Sequence, residues 1–161
     1  GSYRVPVVFT AGALTVRQEL LVHVVPPTGG PDLARAATAA SSGDDSAKTP
    51  AAAVADGDPK TSWSSPAEDD AWVQLRLPQP ARLGSAVLHW GAAYASAYRL
   101  ETSVDGVVWT TVAEVGNGQG GTETVRFDAP GAQYLRVQGV GRATRYGYAL
   151  SGVELYGVQA P

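Results

Sequence analysis

Short runs of apolar residues recur at period two along this chain, each cut off by glycine, proline or an Asp-Gly pair. No other feature constrains the fold as much. A strand points successive side chains to opposite faces, so Val73, Leu75 and Leu77 share one face before Pro78 ends the run. Ala86, Leu88 and Trp90 share a face, with Val87 and His89 opposed to them. Tyr98, Leu100 and Thr102 make another strand, and an Asp105-Gly106 hairpin turn leads into Val107, Val108, Trp109 and Val112. After a glycine-rich loop from Asn117 to Gly121 come Val125 with Phe127, Leu135 with Val137, and Val153 with Leu155. Short strands at this spacing predict an all-β sandwich or barrel. The alanine-rich segment 33–40 has a helical composition, but Ser, Gly and Asp follow at once, so it is expected to wrap the sandwich. Trp63, Trp72, Trp109 and Tyr98 are expected to be core rings.

Composition narrows the function classes. Twelve basic residues against fifteen acidic give a net charge of −3. A nucleic-acid binder would carry a basic excess, so none is expected as a partner. Cysteine is absent, which excludes disulfides, thiolate metal sites and cysteine nucleophiles. No apolar run approaches the roughly 20 residues that span a bilayer, and none resembles a signal peptide. Gly1-Ser2 reads as a cloning remnant. The chain is expected to begin partway through a longer protein, with any targeting signal upstream.

Three zones follow one another. In residues 1–25, Val5, Val7 and Phe9 alternate, Gly12 interrupts, and Leu14, Val16, Leu20, Val22 and Val24 alternate again, which predicts a β-hairpin. A lone hairpin is marginal in water, so this one is expected to pair with other strands or to lie against the following domain. It resembles the last two strands of the immunoglobulin-like domains that precede accessory modules in bacterial glycosidases. Residues 26–31, Pro-Pro-Thr-Gly-Gly-Pro, read as a linker. Residues 32–158 hold the predicted sandwich.

The run DGDPKTSW at 56–63 concentrates chemistry. Two carboxylates, a hydroxyl and a glycine turn fall within six residues, and hard cations such as Ca²⁺ take six to eight oxygen ligands. The same run belongs to an ordered set: Asp32-Leu33-Ala34, then DGDPKTSW, then Ala71-Trp72-Val73-Gln74-Leu75 before a proline turn. Ser103-Val104-Asp105-Gly106 with Trp109, Tyr134-Leu135-Arg136-Val137, Tyr146-Gly147-Tyr148 and Val153-Glu154-Leu155-Tyr156-Gly157 continue it. In this order and spacing the set resembles a discoidin domain, also called the coagulation factor 5/8 C-terminal domain, whose carbohydrate-binding branch is the family 32 carbohydrate-binding modules. The resemblance implies an eight-stranded jelly-roll β-sandwich with ligands held by loops at one end.

It also implies a structural Ca²⁺ or Na⁺. The ligands would be the Ala53 carbonyl, the Asp56 side chain, the Asp58 carbonyl, Thr61 through carbonyl and hydroxyl, and the Ser151 carbonyl. The family's usual glutamate after that last position is Gly152 here, with Glu154 two residues on. Fewer charged ligands imply weaker calcium binding.

Sugars present an apolar ring face, which aromatic rings meet, and a belt of hydroxyls, which polar groups meet. The segment from His89 to Tyr98 contains a W-x-x-A-Y-A pattern like that of one branch of the family. The stretch 141–148 joins two arginines, two tyrosines and glycine. Tyr94, Arg145 and Tyr146 are therefore expected to line a shallow glycan site, with Trp90 and Tyr148 at its edge or beneath it. His89 alternates with Trp90 and is expected on the opposite face. Galactose-binding members place arginine and asparagine in loops where this chain has mostly alanine, which points away from galactose and toward a glucan-like glycan or one the sequence does not determine.

Hydrolysing a glycosidic bond takes two carboxyl groups about 5–10 Å apart across a cleft. Asp44-Asp45 and Glu68-Asp69-Asp70 lie in loops where clustered charges usually stay solvated. No phosphate-cradling loop or HExxH motif occurs. The expectation is a non-catalytic module of a secreted bacterial glycoside hydrolase. It would bind an oligo- or polysaccharide, partner the enzyme's catalytic domain and leave membranes alone. A structural packing domain and an adhesion module are the alternatives.

Overall fold

Strands dominate because the apolar residues alternate, and two of the strands are long enough to serve both layers of a sandwich. A computed structural model describes residues 2–23 and 28–159, and among these there is no α-helix. The strands are β1 (Ser2–Ala11), β2 (Leu14–His23), β3 (Thr38–Ser41), β4 (Trp63–Ser64), β5 (Trp72–Trp90), β6 (Ala95–Ser103), β7 (Thr110–Val115), β8 (Thr122–Arg142) and β9 (Ala149–Gln159). Strands β3 to β9 form one antiparallel sheet in the order β4-β9-β5-β8-β6-β7, with β3 on β5.

The sheet folds over because β5 and β8 turn corners. The first half of β5, Trp72–Arg76, pairs with Tyr134–Gln138 of β8 and with β3. Its second half, from Ala81, pairs with the first half of β8 and with β9. The sequence suggested two separate strands on either side of Pro78 and two on either side of Pro130; each pair is one continuous strand bent at its prolines. Gly131, at φ 71°, makes the β8 bend. A register shift between Leu83 and Ser85 then changes which side chains face inward. Before it Val73, Leu75, Leu77, Ala81 and Leu83 are buried; after it Ala86, Leu88 and Trp90 are. One extra residue in a strand does this because the side-chain period is two. Both alternating patterns in the sequence are thus correct, with opposite parity.

The core contains Trp63, 1% exposed, and Tyr98. The Trp63 indole N–H donates to Asp44 Oδ1 at 3.0 Å and the Gly43 carbonyl at 3.3 Å, which ties the loop after β3 to the interior. Segment 33–40 forms a single 3₁₀ turn, Leu33–Ala36, and then β3. Asp32 caps that turn through Ala34 N and also accepts from Leu155 N, so it fixes the chain's entry onto β9.

Two expected core rings are elsewhere. Trp72 and Trp109 lie half-buried on the outer face of the sheet, on either side of the Arg136 guanidinium. Its central carbon is 4.4 Å from the Trp72 ring centre and 3.8 Å from that of Trp109. Trp109 also meets Tyr134 edge-on at 6.1 Å. The reason is parity: Trp72 precedes the inward Val73, so it must face out, and a cation makes that tolerable. The Asp105-Gly106 turn is wider than a two-residue hairpin. Asp105 Oδ1 accepts from Val107 N and Val108 N, Gly106 sits over the Tyr134 ring, and Val107 and Val108 stay exposed before β7 starts at Thr110.

Strands β1 and β2 make a separate two-stranded sheet with Gly12 in the turn at φ 60°. Its register puts Val5, Val7, Phe9, Leu14, Val16, Gln18 and Leu20 on one face and Arg4, Pro6, Val8, Thr10, Thr15, Arg17 and Glu19 on the other. Among the described residues no strand of the main sheet pairs with it. Val24 and Val25 of the second run, and Pro26-Pro27 of the linker, lie outside the described residues.

Arg136→Ala would leave two indoles on an outer face with no cation between them. It is expected to lower unfolding stability by about 2–3 kcal/mol, through two partly desolvated cation–π contacts and lost packing of the side-chain stem. Urea denaturation checks this, and a change near zero would show that the stack is ornamental.

Candidate functional site

Corner-turning strands bring five connections to one pole of the sandwich. These are the segments 42–48, 65–71, 91–94, 116–121 and 143–148. Backbone hydrogen bonds stitch them together: Asp45 N to Ser64 O, Ser65 N to Tyr148 O, Ala149 N to Ala93 O, and Ala143 N to Tyr94 O.

Three aromatic rings form the floor. Trp90 packs against Tyr98 at 5.3 Å and Tyr148 at 6.3 Å between ring centres. Trp90 and Tyr148, expected at the edge of a glycan site or beneath it, are both buried, so neither offers a free ring face at this pole. The Tyr148 hydroxyl donates to Asp69 O at 2.6 Å, and burial followed by the Asp69 charge pushes the phenol up to about 12. Its ring lies against Gly139, where a Cβ would come within 2.2 Å of it. Under Trp90 and Tyr98 sits Glu123, which the sequence reading overlooked. Its Oε2 accepts from Trp90 Nε1 at 3.1 Å and from the Tyr98 hydroxyl at 2.7 Å, while Oε1 accepts from Gln119 N at 2.6 Å. A signal was available: Glu123 has the parity of Val125 and Phe127, so a carboxylate stands on the apolar side of β8.

Above this floor runs a groove of about 260 Å³, lined by Asp45, Ser64, Ser65, Ala93, Tyr146 and Gly147 among others. Tyr146 is its exposed ring, 59% accessible. Arg145 holds that ring from outside the groove: its guanidinium lies 4.9 Å from the ring centre and donates to the Tyr146 hydroxyl at 2.7 Å. Gly147 is required, since a Cβ there would come 2.0 Å from Ser65 O. The buried Ser65 hydroxyl receives Tyr148 N at 2.8 Å, so the tip loop is cinched on both sides. Tyr94 occupies the same pole, but its ring is half-buried and packs under Gly120, so it offers less free surface than Tyr146.

The acidic loops divide into two kinds. Asp44 accepts from Ser41 as well as Trp63, and Asp69 takes Arg142 Nε at 2.8 Å and its backbone N at 3.2 Å. Those Arg142 hydrogen bonds hold the Asp69 carboxyl below the usual range. Among the described residues the carboxylates of Asp45, Glu68 and Asp70 have no hydrogen-bond or ion-pair partner, and that of Asp45 lines the groove.

The expected metal loop is at the side of this pole. Asp56 Oδ1 accepts from Asp58 N, and the Thr61 hydroxyl lies 2.8 Å from Asp56 Oδ2 and 2.9 Å from Asp58 O. The Thr61 hydroxyl thus holds Asp56 Oδ2 and Asp58 O close to one oxygen, hard donors of the kind Ca²⁺ takes, and the Arg35 guanidinium lies against Gly57 of the same loop. Ala53 is buried in the second 3₁₀ turn, Ala51–Val54. Ser151 lines a second groove, of about 290 Å³, with Gly57, Pro59, Arg35 and Glu154. Glu154 does not turn toward Asp56; it accepts from Tyr156 and pairs with His89 Nε2 at 2.8 Å, and both hold it below its usual range. His89 is on the face opposite Trp90, as its parity requires.

The family model described as F5/8 type C domain matches residues 36–153. Chitosan-binding module 1 of a chitosanase/glucanase from Paenibacillus sp. IK-5 is 37% identical over 80% of this chain and all of that one, at a TM-score of 0.76. Module 2 of the same enzyme, solved with chitotriose, is 32% identical over 78% of this chain and all of that one, also at 0.76. The family 32 module from C. perfringens NanJ, solved with galactose, shares the fold at 17% identity, covering 77% and 96% of the two chains at a TM-score of 0.67. No curated protein matches the chain.

The Asp56 carboxyl is held below its usual value by Asp58 N and then by Thr61. A depressed folded pKa gives stability that is present above the unfolded value and lost as pH falls through the folded one. Melting temperature is therefore expected to decline below about pH 4, and less steeply in Asp56→Asn. Parallel curves for variant and wild type would show that this loop is not part of the acid response.

Proposed function

This chain belongs to the F5/8 type C domain family, and from that premise we propose that it is a non-catalytic carbohydrate-binding module for a glucan-like amino-sugar polymer of the chitosan class. The observation that carries the reading is the pairing, in one groove, of the exposed Tyr146 ring with the unpartnered Asp45 carboxylate. The ring suits the apolar face of a pyranose. The carboxylate suits a protonated amino group, and Glu68 and Asp70 add negative potential around it. Likeness to two modules named for chitosan binding supports the same ligand class.

The module would act as an accessory domain of a secreted bacterial glycoside hydrolase, keeping a catalytic domain near its polymer by raising local concentration. Residues 32–158 are the binding unit in this reading. Residues 1–25, whose described part is the β1–β2 hairpin with a mostly apolar face, form the end of a preceding β-domain in this reading. Asp56, the Asp58 carbonyl, Thr61, the Ala53 carbonyl and the Ser151 carbonyl would hold Ca²⁺, which would supply charge neutralisation and rigidity to the loop and no sugar chemistry.

Calorimetric titration with chitosan oligosaccharides tests the function. Tyr146→Ala is expected to weaken binding at least about tenfold, and Asp45→Asn to weaken binding of the free-amine oligomers more than of their N-acetylated counterparts. Absence of binding by the wild type removes the proposal; equal binding by wild type and Tyr146→Ala moves the site elsewhere.

The metal has its own test. Millimolar CaCl₂ is expected to raise the melting temperature by about 2–4 °C over EDTA, and Asp56→Asn to abolish the difference. Identical melts in calcium and EDTA for the wild type would refute the calcium assignment.

A further inference from the structure

We infer that the groove continues past Tyr94 onto the glycine-rich loop 117–121, where Asn117 and Gln119 form a second sugar subsite. The inference rests on the carbohydrate-binding reading and extends it to the length of chain recognised.

The sheet order places the polar connections in a row. Along the layer made by β3, the first half of β5, the second half of β8, β6 and β7, the connections follow as 42–48, 65–71, 143–148, 91–94 and 116–121. Tyr94 joins the last three. Its carbonyl accepts from Ala143 N in the Tyr146 loop, and its ring carries Gly120 of the glycine-rich loop.

That loop lies flat because of its glycines. A Cβ on Gly118 would come 2.2 Å from the Ala95 carbonyl, and one on Gly120 would come 2.7 Å from the Tyr94 ring. Gly118 N also donates to Ser96 O. No side chain of 118 or 120 stands between Tyr94 and the two amide residues.

The amides are preorganised. Glu123, already fixed by Trp90 and Tyr98, takes Gln119 N at 2.6 Å. Gln119 Nε2 donates to both Asn117 O and Asn117 Oδ1 at 3.1 Å. Both partners are acceptors, which fixes the orientation of the Gln119 amide. Asn117 Nδ2 and Gln119 Oε1 then have no protein partner among the described residues, and both side chains are exposed. One donor and one acceptor held side by side complement a sugar hydroxyl, or a hydroxyl and an amino group. Ordering them in advance lowers the cost of binding. The recognised ligand is therefore a linear saccharide long enough to reach from Tyr146 across Tyr94, not a single terminal sugar.

The test is titration of the whole chain with chitosan oligosaccharides of two to six units, for the wild type and for the double variant Asn117→Ala, Gln119→Ala. Both positions are exposed, and a thermal melt verifies that the variant is folded. Wild-type affinity is expected to rise with oligomer length. The ratio of hexamer to dimer affinity is expected to fall about tenfold in the variant, the loss of one to two hydrogen bonds. A ratio equal to that of the wild type overturns the second subsite while the binding function stands. Wild-type affinity independent of length does the same. Failure of the wild type to bind any oligomer overturns the function and this inference together.

Discussion

Everything at the binding pole follows from one constraint: β5 and β8 each have to line both layers of the sandwich. A strand that turns a corner must keep its apolar side chains inward on both legs. The shift at Leu83–Ser85 does this for β5, and Pro130-Gly131 bends β8. Once both strands double back, their outer ends meet at one pole, and the starts of β6 and β9 and the end of β7 come with them. The site is a consequence of where those strands stop. Its residues come from segments as far apart as Asp45 and Tyr146, and only the corner geometry makes them neighbours.

The sequence was informative where period two was sufficient. It located the apolar stretches of β5, β6, β8 and β9, the parity of His89 against Trp90, and the burial of Trp63 and Tyr98, but not the short strand β3. It misplaced Trp72 and Trp109 because a tryptophan in an apolar run reads as core, although the parity of Trp72 against Val73 already pointed outward. What parity does not reveal is Arg136, a partner that makes an outward indole stable and lies more than sixty residues away. The same limit applied at the site. Asp44 and Asp69 read as solvated charges, because Trp63 Nε1 and Arg142 reach them only in the folded chain. Tyr94 and Tyr146 were equivalent in sequence and differ in structure, since only Tyr94 lies under a glycine loop. The wider connection at Asp105-Gly106 was hidden because an Asp-Gly pair suits a two-residue turn as well as the capped loop that forms.

Rigidity at the pole comes from close approach as much as from hydrogen bonds. Gly139, Gly147, Gly118 and Gly120 each let a backbone lie against a ring or a carbonyl where any side chain would collide. Ser65 and Glu123 then fill the hydrogen-bonding needs of the segments pressed together. A loop cluster built this way has little conformational entropy left to lose when a ligand arrives, which matters for a shallow site with few contacts. A half-buried carboxylate such as Glu123 would be costly alone; three donors at 2.6–3.1 Å compensate it.

Arg145 is the element least suited to a cationic ligand, and its position resolves the conflict. Its guanidinium covers Tyr146 from outside the groove and is committed to the Tyr146 hydroxyl. The guanidinium lies on Tyr146, and the ring also lines the groove that Asp45 lines, so in the proposed mode a sugar stacks on it from the groove. At an exposed site both fields are screened within about 8–10 Å at physiological salt, so the nearer one decides. Asp45 lines the groove and Arg145 does not, so in the proposed mode a sugar there meets the carboxylate, while Arg145 holds the ring through its hydroxyl.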